Sequence, residues 1–469
     1  MAEIVTVNPA TAAVLERFAY MPREEIDEHL DVAREAFALW RKEPLSDRSR
    51  LLLAVAQQLR SKAEHLAAVA VREMGKPIAQ ARAEVEKCAV CCEYFAQNAE
   101  HFLANRRVES NATESYVAFR PLGVILAIMP WNFPYWQVFR AAAPALMAGN
   151  VMVLKHADPT TRCALEIERV FAEAGAPKGV FRTLLIHHDD ADGLIPDTRI
   201  SGVTLTGSER AGIAVASAAG ESLKKTVLEL GGSDPFIVLA DADIDRAVEY
   251  AVRSRFQNNG QSCIAAKRFI VENSVYDRFL RRFSESASQQ RIGDPMHEQT
   301  QLGPCARKDL RETLQRQITE SVVDGARIVT GGHSIDGPGF FFEPTVVADV
   351  QPGTPMFDQE TFGPAAAVVR AEDDEQAIAL ANRSSYGLGA NLWTRDIAHA
   401  SAMAASIESG LVFINGMVAS DPRLPFGGVK RSGYGRELSA YGLHEFTNIQ
   451  TIWVGPERDG KASSTAPAE

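Results

Sequence analysis

The chain has 469 residues, 46% of them hydrophobic and 23% charged, with a formal net charge of −11. That length exceeds what one hydrophobic core serves, so two large lobes with a cleft between them are expected, in an ordinary globular protein rather than a disordered or fibrous one. The acidic balance lacks the clustered positive face that nucleic acid or an anionic membrane would need; neither is an expected partner, and small-molecule chemistry is favoured, with a locally basic site still possible.

Met1 to Pro9 lacks the basic and then apolar pattern of a secretory signal, and no apolar run reaches membrane-spanning length. Six cysteines in so long a chain do not make a disulfide framework, so a reduced cytoplasmic setting is expected, in which any special cysteine acts through its thiolate.

From Glu24 to about Leu103 the pattern is helical, with Leu51, Leu52, Val55 and Leu59 at three and four spacing. Strands then alternate with helices. Strands are expected at Gly123 to Met129, Val151 to Leu154, Arg199 to Leu205 and Thr226 to Glu229, with helices from Thr160 to Ala174 and after Ser208. Such alternation implies a mainly parallel sheet covered on both faces. It restarts after Gly231, with strands at Pro235 to Leu239 and Lys267 to Val271 around a helix from Asp243, and reads as a second α/β lobe. Asn448 to Val454 is a late strand of the kind that pairs with another subunit or a distant sheet, and Gly455 to Glu469 is a polar tail expected to be disordered.

Three segments carry candidate chemistry. Cys263 follows the polar, glycine-containing turn Gln257-Asn258-Asn259-Gly260-Gln261-Ser262, and is either a packing thiol or a nucleophile at a loop end. Glu229, before Leu230-Gly231-Gly232, is a structural carboxylate or one whose burial raises its pKa and suits it to take a proton from water. Asn132, fixed among Pro130, Trp131, Phe133 and Pro134, is part of a rigid loop or an amide donor for an oxyanion.

Together with Met129-Pro130-Trp131-Asn132-Phe133-Pro134, Leu205-Thr206-Gly207-Ser208, Leu228-Glu229-Leu230-Gly231-Gly232, Gly260-Gln261-Ser262-Cys263, Glu360-Thr361-Phe362-Gly363-Pro364 and Pro425-Phe426-Gly427-Gly428-Val429-Lys430, these segments resemble, in the same order and over nearly the whole chain, the aldehyde dehydrogenase superfamily. The resemblance implies an α/β fold of two parallel-sheet lobes. A variant Rossmann cofactor domain would span 1–105 and 122–230, a catalytic domain 231–430 and an oligomerisation element 106–121 and 431–457, with a tail at 458–469. It also implies that Cys263 attacks an aldehyde, Asn132 and the Cys263 backbone N–H hold the oxyanion, hydride passes to a nicotinamide dinucleotide, and Glu229 activates the water that cleaves the thioester.

A strict Gly-x-Gly-x-x-Gly is absent; in similar enzymes a helix opened by Gly207 and Ser208 approaches the pyrophosphate. Lys155 and Asp158 match positions that grip the adenosine ribose, and Glu360 the one that holds the nicotinamide ribose; Met129, Pro130, Trp131, Leu230 and Phe362 complete the implied cofactor contacts. A carboxylate at Asp158 would repel a 2′-phosphate, so NAD is expected over NADP.

Within the superfamily the chain is most similar to bacterial succinate-semialdehyde dehydrogenases, with Phe133, Trp136, Arg140, Gln257, Ser420 and Phe426 as implied substrate contacts. Arg140 would clamp a distal carboxylate with Ser420 assisting. Where better-known members of that group carry a second arginine this chain has Gln257, with Arg423 as a candidate substitute. A dehydrogenase of broad specificity for other acidic or aliphatic aldehydes, a cysteine hydrolase and a non-catalytic protein retaining the fold stay open as alternatives. No metal is expected: Cys88, Cys91 and Cys92 read as packing thiols and His187-His188-Asp189-Asp190 as a polar loop. Ala265 excludes a disulfide switch on the nucleophile, and a homodimer or homotetramer is expected.

Overall fold

The computed structural model describes residues 3–455, so the tail expected at 458–469 lies outside the described residues. The α/β expectation holds: the described residues build two large, mainly parallel sheets, a three-stranded antiparallel sheet and two two-stranded antiparallel ones. The helical opening consists of Arg23–Trp40, Leu45–Ser61, Ala63–Met74 and Ile78–Leu103. Leu51, Leu52, Val55 and Leu59 form one buried stripe, as their spacing dictates. Ahead of these helices stands an antiparallel hairpin, Glu3–Val7 with Val14–Ala19, which the sequence reading missed. Its connection has no Asn-Gly signal and turns instead through Ala12 at φ 57°.

The first large sheet has the order Gly433–Tyr434, Lys225–Glu229, Ile200–Thr206, Val124–Met129, Val151–His156, Phe181–Thr183. All its pairings are parallel except that of Gly433–Tyr434, a segment assigned from sequence to the oligomerisation element but lying here as an edge strand against Lys225–Glu229. Chain order runs outward from Val124–Met129 and then crosses to Ile200–Thr206, which makes a topological switch point between those two strands. Ligands of doubly wound sheets bind beyond the carboxyl ends of the strands at such a point.

The second large sheet runs Arg327–Thr330, Thr345–Ala348, Ala365–Ala371, Ala266–Glu272, Asp234–Val238, Gly389–Trp393, Leu411–Ile414, parallel except at its first strand. Strands such as Val151–His156 and Asp234–Val238 are buried along their whole length, because helices cover both faces. The late strand, Thr447–Val454, pairs along Glu114–Pro121, which pairs in turn with Arg106–Arg107.

The helix Trp136–Met147, buried throughout, follows Asn132 directly. Its first amides are satisfied by a carboxylate from the helical opening: Tyr135 N and Trp136 N each donate to Glu84 Oε1 at 2.9 Å. Glu84 is paired with the equally buried Lys76, whose Nζ lies 4.2 Å from the centre of the Phe133 ring. Glu84→Ala would leave one buried cation and two amides without partners. It is expected to lower the unfolding free energy by about 3 kcal/mol or more, read by urea denaturation, a loss well beyond that of an exposed Glu→Ala control.

Candidate active site

Cys263 sits in a loop held almost wholly by side-chain-to-carbonyl bonds. The helix Ile244–Phe256 ends in a turn whose residues Asn258 and Asn259 take φ values of 52° and 59°. Asparagine tolerates the left-handed region better than most residues. Gly260 follows at φ 72°, where a Cβ would stand 2.2 Å from the Gly363 carbonyl oxygen. Asn258 Nδ2 donates to the carbonyls of Asn132 (2.7 Å) and Gln261 (2.9 Å). Asn259 Nδ2 donates to those of Gly75 (2.9 Å) and Pro304 (3.0 Å). The fully buried Arg255 donates to Ala266 O, Gly260 O and Gly363 O, and Lys267 Nζ to Ser262 O, Cys263 O and Ala265 O. Sequence reading missed Asn258, Asn259, Arg255 and Lys267; the run Asn-Asn-Gly was the available signal, since those residue types favour a left-handed turn.

The thiol itself is half-buried. Burial pushes its pKa up to about 12 against the opposing charges of Arg140 and Lys267, so the resting group is a thiol. It stands where a cavity of about 660 Å³ meets one of about 780 Å³ and is the one lining residue common to both.

The larger cavity opens at the carboxyl ends of the first sheet, at the switch point. Met129, Pro130, Trp131, Asn132, Lys155, Gly207, Ser208, Leu230, Glu360 and Phe362 all line it. Ser208 caps the helix Glu209–Glu221, its hydroxyl accepting from Ala211 N, and that helix lies against Leu230 so closely that a Cβ at Gly212 would meet it at 2.6 Å. A free helix N-terminus over a glycine suits a dinucleotide's phosphates. Trp131 and Phe362 meet edge to face at 5.7 Å. Glu360 accepts from Gly232 N at 3.0 Å and lies 3.7 Å from Lys267 Nζ; burial raises its pKa. Asp158 is not in the wall but beside it, bonded to Lys155 Nζ (2.9 Å) and to the hydroxyl of Tyr20 (2.9 Å), a partner supplied by the unforeseen N-terminal segment. These residues fit the nucleotide that the sequence implies.

Phe133, Trp136, Arg140, Gln257, Ser420 and Phe426 line the smaller cavity. Arg140 is buried, paired with Glu437, and has its guanidinium 4.4 Å from the Phe426 ring centre; its Nη2 donates to Thr206 Oγ1 at 3.3 Å. Arg423, the candidate second cation, is not in this wall. It is exposed and bonded through two nitrogens to Asp421, at 2.8 and 2.6 Å, because the loop turns its side chain to solvent.

Asn132 Nδ2 donates to Gln261 O at 3.1 Å, leaving its second N–H available. Glu229 lines neither cavity. Its carboxyl is buried without a hydrogen-bond partner, beside the Cα of Gly427, where any Cβ would approach Oε1 to 2.8 Å. Burial, the main cause, and the charge of Glu437 hold its pKa well above the carboxylate range, with Arg140 opposing. Its charge bears on the thiol of Cys263.

Cys88, Cys91 and Cys92 are fully buried on the helix Ile78–Leu103, and burial raises all three thiols. His187, His188 and Asp189 bring ligand atoms within 4.8 Å of one another at the start of the short helix His188–Leu194, where His187 Nδ1 serves as the cap, accepting from Asp189 N.

The chain matches the model of the aldehyde dehydrogenase family over residues 2–452. It is 49% identical over 451 residues to a protein of Synechocystis sp. named "Probable succinate-semialdehyde dehydrogenase [NADP(+)]", covering 96% of this chain and 99% of that one. It is 45% identical over 470 residues to the "Succinate-semialdehyde dehydrogenase [NADP(+)]" of Mycobacterium avium, covering 99% and 100%. The crystal structure of succinic semialdehyde dehydrogenase from Streptococcus pyogenes in complex with NADP+ superposes with a TM-score of 0.95 at 41% identity, over 97% of this chain and all of that one. Six ordered motifs, a thiol shared by two cavities and a match along almost the entire length lead to one statement: this chain belongs to the aldehyde dehydrogenase family.

Proposed function

We propose that the chain oxidises succinic semialdehyde to succinate with a nicotinamide dinucleotide, through a covalent intermediate on Cys263. The observation that carries this reading is the position of Cys263 at the meeting point of the two cavities, within reach of a nucleotide on one side and an aldehyde on the other. Relatives named for this substrate, at 45–49% identity over nearly the full length, support the choice of aldehyde.

In this reading the Cys263 sulfur, once deprotonated, attacks the aldehyde carbon. The developing oxyanion is received by the free amide N–H of Asn132 and the Cys263 backbone N–H. An oxidised nicotinamide dinucleotide, when bound, would supply the hydride acceptor. Met129 to Trp131, Lys155, Gly207, Ser208, Leu230, Glu360 and Phe362, which line the larger cavity, would hold that nucleotide. Loss of hydride leaves a thioester on Cys263. Glu229 swings from its buried position beside Gly427 to take a proton from the water that cleaves it. Phe133, Trp136, Gln257 and Phe426 shape the aldehyde's cavity, and Arg140, assisted by Ser420, receives the distal carboxylate at its wall.

The expected preference for NAD finds no support among the relatives, whose names specify NADP(+). Asp158 already has both oxygens engaged, by Lys155 and Tyr20. Its charge is thereby offset, and the same ammonium lines the cavity that would take the nucleotide. We therefore read the cofactor as NADP, with Asp158 restraining that preference rather than reversing it. We further read 1–105 with 122–230 as the cofactor domain, 231–430 as the catalytic domain, and 106–121 with 431–457 as the assembly element of a homodimer or homotetramer. The outer strand Thr447–Val454 leaves Ile449 and Trp453 exposed, which supports that last reading.

Four measurements test this. Cys263→Ala should lower reduced-cofactor formation by at least about 10³-fold, read at 340 nm. Glu229→Gln should retain a first-turnover burst equal to the enzyme concentration while steady-state turnover falls by about 10²-fold or more. Because the Glu229 pKa is raised, the wild-type steady-state rate should climb with pH as that carboxyl ionises, and the variant should lack this limb; absence of the burst would show that Glu229 acts before the thioester. Parallel kinetics with NAD and NADP should show the NADP-to-NAD ratio of kcat/KM rising about tenfold in Asp158→Ala, a change of about 1.4 kcal/mol; an unchanged ratio assigns Asp158 no part in selection.

A further inference from the structure

The smaller cavity contains a cation, Lys87, with no part in the chemistry at Cys263. Lys87 projects from the helix Ile78–Leu103 into the wall that Trp136, Arg140 and Ser420 also form. Its Nζ lies 2.6 Å from Ser420 Oγ and 4.2 Å from the centre of the Trp136 ring. The carboxylates nearby are committed elsewhere: Glu84 to Lys76, Glu437 to Arg140, and Asp421 to Arg423. Lys87 therefore makes no ion pair among the described residues, whereas the buried guanidinium of Arg140 has its counter-charge in place. A largely buried ammonium held only by a hydroxyl and an aromatic face is an incomplete arrangement, and an anion entering the cavity would complete it.

We propose that Lys87 is a second cation for the distal carboxylate of the substrate, acting with Ser420 beside Arg140 in the same wall. The proposal rests on the reading of an acidic aldehyde as substrate and deepens it. Lys87 donates to the Ser420 oxygen, so the hydroxyl proton of Ser420 is free to point to a second acceptor, and the two groups together present donors to one carboxylate. Lysine serves here as a point charge whose flexible stem adapts to an aldehyde entering end-on. The charged groups that act on Nζ are Arg140, Glu84 and Asp421, and the buried thiols of Cys88 and Cys91 beside it stay protonated. Burial first, and then the Arg140 charge, bring the ammonium down to about 8, so most of it stays protonated at neutral pH and available to an anion.

The test is steady-state kinetics of the full-length enzyme and its Lys87→Met, Lys87→Arg and Ser420→Ala variants on succinic semialdehyde, glutaric semialdehyde and butanal. Lys87→Met should lose at least tenfold more kcat/KM on the best acidic aldehyde than on butanal, with the loss mainly in KM. Lys87→Arg should recover much of that preference, and Ser420→Ala should lose part of it. If Lys87→Met lowers acidic and neutral aldehydes in parallel, or lowers kcat alone, the proposal is overturned while the substrate reading stands. If glutaric semialdehyde proves the better substrate and Lys87→Met still erases the preference for acids, Lys87 is upheld and the choice of succinic semialdehyde falls. A wild type that does not distinguish butanal from either acid overturns both. Should Lys87→Met not fold, Lys87→Gln, which keeps a polar end at that position, is read by the same ratio.

Discussion

The amide of Asn258 spans the two lobes: it donates to the Asn132 carbonyl on one and to the Gln261 carbonyl on the other. The site depends on that bridge. Asn132 is where the first sheet delivers its amide, Gln261 is two residues before the thiol, and a single planar group sets the distance between them. The bridge works only because the backbone at Asn258, Asn259 and Gly260 is left-handed, and that costly conformation is over-determined by Asn259, Arg255 and Lys267, each spent on buried carbonyls. Burying cations against carbonyl oxygens is expensive in desolvation, as the lowering of Arg255 to about 9 reflects. The return is a loop whose thiol does not wander between two cavities.

The same economy of charge runs through the surrounding wall. Lys76 with Glu84, Arg140 with Glu437 and Lys267 with Glu360 are buried cations facing carboxylates, and each pair fixes one side of the cleft. Such pairs add little net stability compared with apolar packing but are costly to break, so they specify geometry. The groups left out of this pairing are the ones that the proposed reaction uses. Glu229 has neither partner nor cavity, Cys263 is a thiol at rest, and Lys87 is a cation with only a hydroxyl and a ring. Perturbed and unpaired groups converging on one cleft mark a functional site more firmly than any one of them alone.

Much of this was legible in the chain. The alternation of apolar strands and helices set out the parallel lobes, since strands buried on both faces must be apolar throughout, and the boundaries at Met129, Glu229 and Val454 agree with the strands found. The motifs that follow strands, Pro130-Trp131-Asn132, Gly207-Ser208 and Leu230-Gly231, fall at the carboxyl ends where a doubly wound sheet places its ligand. The hairpin at Glu3–Val7 and Val14–Ala19 was not legible, because its turn uses no glycine and its strands alternate only weakly. Nor was the edge strand Gly433–Tyr434, two residues long and defined only by its neighbour.

By itself, then, the sequence determined the fold class and the family, and it singled out Cys263, Asn132 and Glu229 as candidates, because these rest on local periodicity and on residue types held at fixed order along the chain. Tertiary structure decided how the charges are shared out. That Arg140 is answered by Glu437, Arg423 by Asp421 and Asp158 by Lys155 and Tyr20, while Lys87 is answered by no carboxylate, follows from contacts between residues up to hundreds of positions apart. Arg423 with Asp421 and Lys155 with Asp158 are near neighbours along the chain, but no pattern in it encodes the distant meetings of Arg140 with Glu437, Tyr20 with Asp158 and Lys87 with Ser420, since these depend on distance in space.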